Sequence, residues 1–239
     1  YHMRKFSHGN ATTDDFLVSL SESTGKDISS SFKSFLLQPG VPFLNIQVQC
    51  KKSEAATVKI EQSRYFPVGS TGDANKVWEI PYCARYQLLD QTHEECHLLK
   101  SVPQQELTLK RKGCPIWYLP NADGAGYYRW NLNERYWENL QGSLPALSST
   151  EVLSLTDSLK AAGLSGQLDA TTLLEAAPLF VNLDDRQVAT APMGTLSFVR
   201  DHLLEDGLLS NLETFSQELY QKRFKKLGFG TEKNAPSSD

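Results

Sequence analysis

The chain has 239 residues, 40% of them hydrophobic and 22% charged, which is enough for one large or two to three small packed units. Its formal net charge of -4 offers no general electrostatic attraction to nucleic acid. No apolar run approaches the roughly 18 residues that mark a membrane span, so nucleic-acid binding and membrane spanning are both disfavoured.

The first segment reads as helix. Tyr1-His2-Met3 opens it without the basic and apolar regions of a secretory leader. Thr12-Thr13-Asp14-Asp15 offers a capping oxygen with carboxylates in the first turn, and Phe16, Leu17 and Leu20 form an apolar stripe behind it. After the break at Thr24-Gly25, Ile28, Phe32, Phe35 and Leu36 recur at helical spacing until Gln38-Pro39-Gly40 stops the run.

From Pro42 the period changes to two. Leu44, Ile46, Val48 and Cys50 alternate with polar residues, as do Val58 with Ile60, Trp78 with Ile80, and Leu107 with Leu109. Glycine-rich turns at 69–72, 111–113 and 121–126 punctuate these short half-buried strands, a spacing that predicts an antiparallel β-sandwich of about a hundred residues. Cys50, Cys83, Cys96 and Cys114 all fall here. They contain no C-x-x-C pair, which argues against a zinc ribbon and leaves disulfides and buried thiols both open. Cys83 and Cys96 lie on successive predicted strands, and a bridge between them would imply an oxidising compartment.

Inside the same stretch, His93-Glu94-x-x-His97 fits the H-E-x-x-H pattern of zinc metallopeptidases. The pattern works on a helix, where residues i and i+4 lie about 6 Å apart along the axis and two imidazoles share an ion beside a Glu base. On a strand the same residues are about 13 Å apart and cannot share one ion without a sharp bend. Strand-like alternation surrounds the motif and no further histidine occurs before His202, so we read it as a solvent-facing turn entering a strand. Other chemistry is as thin. There is no G-x-S-x-G, and Gly124 and Gly126 lack the spacing of a phosphate loop and read as turn residues permitting positive φ. Cys96 and His97 are strand neighbours that point to opposite faces. Tyr127, Tyr128, Trp130, Tyr136 and Trp137 read as core aromatics rather than a binding platform.

The third segment returns to helix. Asn133 can cap a helix carrying Tyr136, Trp137 and Leu140, and Ser148-Ser149-Thr150-Glu151 is a capping box ahead of Val152, Leu155 and Leu159. Gly163 is expected to close that helix. Asp169 is expected to start another containing Leu173, Leu174 and Ala177, which Pro178 would end. Leu208, Leu212, Phe215 and Leu219 form a later stripe running into the basic residues 222–226, read as a solvated helix end, and residues 234–239 read as a disordered tail.

Several stretches together resemble the zinc aminopeptidases of the aminopeptidase N type. Residues 8–16, His-Gly-Asn-Ala-Thr-Thr-Asp-Asp-Phe, resemble the segment near the end of that family's thermolysin-like domain. Gln38-Pro39-Gly40-Val41-Pro42 is similar to its hand-over into the β-sandwich, and Ile60-Glu61-Gln62-Ser63-Arg64-Tyr65-Phe66 and Trp78-Glu79-Ile80-Pro81 to two of its strands. Residues 121–129, from Asn121 through Gly126-Tyr127-Tyr128-Arg129, resemble a further motif, and these matches keep the family's order over roughly the first 140 residues. Trp130 and Leu132 depart from it, standing where Val and Tyr are usual.

The resemblance implies a multidomain α + β chain in three parts. Residues 1–41 would be the last helices of the catalytic domain, 42–143 a β-sandwich, and 144–239 the first part of an α-helical C-terminal domain. In the family, H-E-x-x-H lies upstream of the segment matched by residues 8–16, whereas His93 lies downstream, and a Glu ligand at the family's spacing would fall on Ile116. The exopeptidase motif Gly-x-Met-Glu-Asn is missing, since Met3 and Met193 do not precede Glu-Asn. We therefore assign no catalytic, cofactor-binding or metal residue to this chain and expect zinc in a catalytic domain outside it. The chain would be the non-catalytic C-terminal portion of a zinc aminopeptidase acting on peptide substrates, bracing the catalytic domain and helping to enclose the peptide cavity. The alternatives are a stand-alone β-sandwich interaction module and a small metallopeptidase using His93-Glu94-x-x-His97. The compartment stays open.

Overall fold

The computed structural model describes residues 1–51, 53–205 and 207–228. It divides into two compact units, residues 1–154 and Leu155 onward. The tail at 234–239 lies outside the described residues.

The first unit opens with α1 (His2–Lys5), α2 (Thr13–Thr24) and α3 (Ser29–Leu36). Thr12 caps α2 as the sequence predicts: its hydroxyl accepts the Asp15 N–H at 3.2 Å, the Asp15 carboxylate accepts the Thr12 N–H at 2.9 Å, and Gly25 ends the helix at φ 66°. The apolar stripes are less buried than their spacing predicts. Leu17 is buried, but Phe16, Val18, Phe32 and Leu36 are exposed, because two short helices cannot cover both sides of their own stripe. Hydroxyls hold α3 instead. Ser31 donates to the Glu79 carbonyl at 2.8 Å, and Ser34 accepts the Glu79 N–H at 3.1 Å.

Two sheets follow. The first has the order β5-β2-β1-β7, from β1 (Pro42–Gln49), β2 (Ala55–Arg64), β5 (Gln104–Lys112) and β7 (Arg129–Leu132). The second has the order β4-β3-β6, from β3 (Ile80–Leu88), β4 (Gln91–Leu99) and β6 (Tyr118–Leu119). Alternation buries Leu44, Ile46 and Val48 on β1, Val58 and Ile60 on β2, and Ile80, Tyr82, Ala84 and Tyr86 on β3. One pairing corrects the antiparallel expectation: β7 runs parallel to β1, with Leu44 opposite Trp130. A parallel neighbour needs a long crossover, and residues 50–128 provide it. The cysteines are bridged rather than buried as thiols. Cys83 faces Cys96 in the β3–β4 register with Cα atoms 4.0 Å apart, and Cys50 joins Cys114 at 5.5 Å.

Asn133 sits at the start of α4 (Glu134–Gln141) but does not cap it with its side chain. Its N–H donates to the Ile46 carbonyl at 3.1 Å and its Oδ1 accepts the Val48 N–H at 3.0 Å, so it prolongs the β1–β7 ladder. The capping box of α5 (Ser149–Leu164) is present as predicted, the Glu151 carboxylate accepting the Ser148 N–H at 2.8 Å.

Beyond residue 154, helix ends depart from the sequence reading. Gly163 does not close α5: a Cβ there would lie 2.3 Å from the Leu173 side chain, so glycine serves close packing, and Gly166 takes the left-handed turn at φ 74°. Asp169 caps α6 (Ala170–Val181) by accepting the Thr172 N–H at 2.7 Å. Pro178 lies inside α6 rather than ending it, because burial of Phe180 and Val181 favours continuation over the lost hydrogen bond. No spacing predicted α7 (Arg186–His202), which contains Pro192 and is capped by Asp185. Leu212 on α8 (Leu209–Leu227) packs with Leu196 and Val199 on α7, with Phe215 and Leu219 beside them. The basic run at the end of α8 is only partly a solvated helix end. Arg223 reaches back to donate to the Val181 and Leu183 carbonyls at 3.1 and 2.7 Å, satisfying the open C-terminus of α6.

Candidate functional site

The H-E-x-x-H residues lie on β4, whose preceding turn is at Leu89-Asp90 rather than within the motif. His93 and His97 share one face about 13 Å apart along the strand, and Glu94 projects from the other. Each imidazole has its own surroundings. The His93 ring is 5.7 Å from the Tyr86 ring, and His97 Nε2 lies 3.7 Å from a Glu95 carboxylate oxygen. Two imidazoles this far apart cannot share an ion, and Glu94 cannot serve a water between them. Ile116, where the family spacing would place a third ligand, is an exposed apolar residue. These residues do not fit the zinc of a metallopeptidase.

Motif residues that carry the family resemblance make two separate clusters of contacts within the first unit. Gln62, 6% exposed on β2, donates from Nε2 to the carbonyls of Trp78, Lys100 and Val102 at 3.1, 2.9 and 2.9 Å. Its Oε1 accepts the Trp78 N–H at 3.0 Å, so one amide ties β2 to the entry of β3 and the loop after β4. Arg64, at the end of the same strand, stacks on Phe66 with its guanidinium 4.6 Å from the ring centre. It runs across Gly40, where a Cβ would lie 2.6 Å from Arg64 Nε. This contact adds to the β1–β2 pairing, which sets Pro42 opposite Arg64, in joining the Gln-Pro-Gly motif to the Gln-Ser-Arg motif 24 positions away.

A second knot forms before β7. Asn121 donates to the Gly126 carbonyl and to Ser154 Oγ, both at 3.1 Å, and accepts the Gly126 N–H at 2.8 Å. The Tyr128 hydroxyl donates to the Pro120 carbonyl at 2.8 Å. Gly124 has the positive φ expected of it, 63°, but Gly126 does not; a Cβ at Gly126 would lie 2.2 Å from the Tyr128 ring, so glycine is needed there for space. Glu151, fully buried, pairs with the Arg85 guanidinium and accepts the Asp123 N–H at 3.2 Å. Sequence reading found Glu151 only as a cap and missed Arg85, which carries no local signal.

The aromatic residues are mainly core. Tyr128, Trp130 and Tyr136 are buried, whereas Tyr127 is exposed. Between the strands, the Tyr82 and Tyr118 hydroxyls are 2.7 Å apart, Tyr86 donates to the Glu95 carboxylate, and that carboxylate also accepts the Lys110 N–H of β5 at 3.0 Å. Burial pushes the Tyr82, Tyr86 and Tyr118 hydroxyls above the ordinary tyrosine range, and the bonded Glu95 carboxylate raises Tyr86 further. They therefore stay protonated and act as fixed hydrogen-bonding groups. Outside the sheets, α7 and α8 leave an open groove of about 480 Å³ lined by Leu196, Leu209, Leu212, Arg200 and Glu213. Arg200 there is bonded to Asp201 at 2.8 Å.

Residues 117–239 match the model of the ERAP1-like C-terminal domain family. The chain is 24% identical over 235 residues to the puromycin-sensitive aminopeptidase of Caenorhabditis elegans, an alignment covering 95% of this chain and 24% of that protein. It is 24% identical over 231 residues to the alanine/arginine aminopeptidase of Saccharomyces cerevisiae, covering 95% of this chain and 26% of that protein. With the leucyl aminopeptidase of Saccharolobus solfataricus the identity is 26% over 149 residues, 57% of this chain and 18% of the relative. The chain thus spans about a quarter of the length of the first two relatives. Because the family model covers just over half of the residues, this chain belongs to the ERAP1-like C-terminal domain family and corresponds to a C-terminal portion of a protein of the aminopeptidase N type.

Proposed function

We propose that the chain is the non-catalytic C-terminal portion of a zinc aminopeptidase that removes N-terminal residues from peptides. In this reading residues 1–41 are the last helices of the catalytic domain, 42–143 form a β-sandwich, and 144–239 begin the helical domain. The sandwich braces the catalytic domain, and the helices help to enclose the peptide cavity. The observation that carries the reading is the use made of the matched residues: Gln62 and Asn121 tie separate stretches of backbone, Gly126 accepts from and donates to Asn121, and Arg64 packs across Gly40 onto Phe66. The candidate catalytic pattern, in contrast, is stretched along a strand. The zinc and the water it activates would belong to residues outside this chain.

The test compares three samples in the hydrolysis of aminoacyl p-nitroanilides with zinc present: this chain, the longer protein that contains it, and the longer protein truncated before residue 42. Activity is expected from the complete protein alone, with the truncated form unstable or inactive. Hydrolysis by the isolated chain, abolished by His93→Ala, would overturn the proposal.

A further inference from the structure

We infer that the side chains of Cys83, Glu94 and Cys96 make a redox-gated site for a soft divalent cation, closed while the two cysteines are bridged and opened when a thiol reductant cleaves the bridge. Cys83 and Cys96 stand directly opposite each other on β3 and β4. Glu94 is the next residue on the same face of β4, with its carboxylate 3.7 Å from Cys96 Sγ. The sulfur and oxygen atoms of the three all lie within 4.8 Å of one another.

The surroundings leave this trio available. Arg85 pairs with Glu94 in the strand register, but its guanidinium is engaged by Glu151 and by the Ala146 carbonyl at 3.0 Å. Cys96 and Glu94 are exposed, so a reductant and a metal can both reach them. His93, Glu95 and His97 project from the opposite face and take no part. Two thiolates and one carboxylate suit zinc, and hard cations such as calcium and magnesium are disfavoured by sulfur. Tetrahedral zinc with sulfurs at about 2.3 Å holds them roughly 3.8 Å apart, and opposed β-carbons on paired strands reach that separation by side-chain rotation alone. The fourth position is left to water.

The chemistry balances. A cellular dithiol passes two electrons and two protons to the Cys83–Cys96 bond, which breaks to two thiols as the dithiol closes to its own disulfide. Both thiols then release their protons to solvent as the cation binds, so uptake is favoured by rising pH.

Zinc per chain is measured by elemental analysis after equilibration and desalting, on oxidised chain and on chain reduced with a non-chelating phosphine. The expected result is no zinc on oxidised chain and one on reduced chain. The reduced Cys50→Ser/Cys114→Ser variant should keep it, and the Cys83→Ser/Cys96→Ser variant should lose it. Glu94→Gln should weaken binding, and cobalt in place of zinc should give a thiolate charge-transfer band only where both Cys83 and Cys96 remain. Zinc on oxidised chain, zinc retained without Cys83 and Cys96, or no zinc on reduced chain would each overturn the inference. So would loss of far-ultraviolet strand signal on reduction, because the site requires β3 and β4 to stay paired.

Discussion

Gln62 carries out a task that no apolar side chain can: it bonds to three carbonyls and one N–H in two stretches of backbone, Trp78 and the loop after β4. Replacing it by alanine takes this partner from the buried Trp78 N–H and carbonyl, at a cost of about 1–3 kcal/mol for each, while the Lys100 carbonyl keeps the Val102 N–H at 2.8 Å. Gln62→Ala is therefore expected to lower unfolding stability by about 3 kcal/mol, read from urea denaturation at unchanged m-value. A loss under about 1 kcal/mol would mean that water takes over the amide's bonds. The same logic explains why the sequence marked these positions without explaining them. Gln62 stood out through resemblance alone, because its side-chain partners lie 16 to 40 residues away, whereas Gly40 and Asn121 were also read locally, as a helix stop and as part of a turn, with no sign of Arg64 or Ser154 as their neighbours. Thr12, Glu151 and Asp169, whose capping partners lie three residues away, were legible from local chemistry.

At the scale of elements, periodicity was legible wherever one face is buried and the other wet, as along β1 and β2. It failed where a contact between elements overrides a local signal. Pro178 and Pro192 are accommodated inside helices by packing that spacing does not encode, and the parallel docking of β7 depends on what β1 leaves unpaired. The tyrosine cluster between β3 and β6 has a pH consequence. Burial raises the hydroxyl pKa values of Tyr82, Tyr86 and Tyr118 in the folded state. Their contribution to stability is thus fully present below the unfolded tyrosine value of about 10 and is lost as pH rises beyond it. The thermal midpoint should be flat approaching that pH and then fall steeply. Tyr118→Phe removes one of these ionisations and should make the alkaline fall shallower, even though it deprives Tyr82 of its 2.7 Å partner at neutral pH. An equal fall in the variant would place the alkaline sensitivity elsewhere.

For the whole molecule, the uncovered apolar residues are the informative ones. In the first unit Phe16, Val18, Phe32, Leu36 and Leu37 are exposed on α2 and α3 or just after them, with Leu37 at 78%. The helices themselves are well specified, with a complete capping box on α2 and serine bonds holding α3 to the chain before β3. Poor folding does not account for this apolar surface, and under the proposed function the rest of the catalytic domain covers it. Phe16→Ser and Leu36→Ser together should then change the stability of this chain alone by no more than about 0.5 kcal/mol each, as for other exposed positions. In the longer protein the same pair should lower the thermal midpoint and the hydrolytic activity, since a covered phenylalanine or leucine contributes about 1.5–3 kcal/mol. Paired calorimetry on both proteins checks this. Equal effects in the two would mean that these residues stay in solvent and that the catalytic domain rests elsewhere.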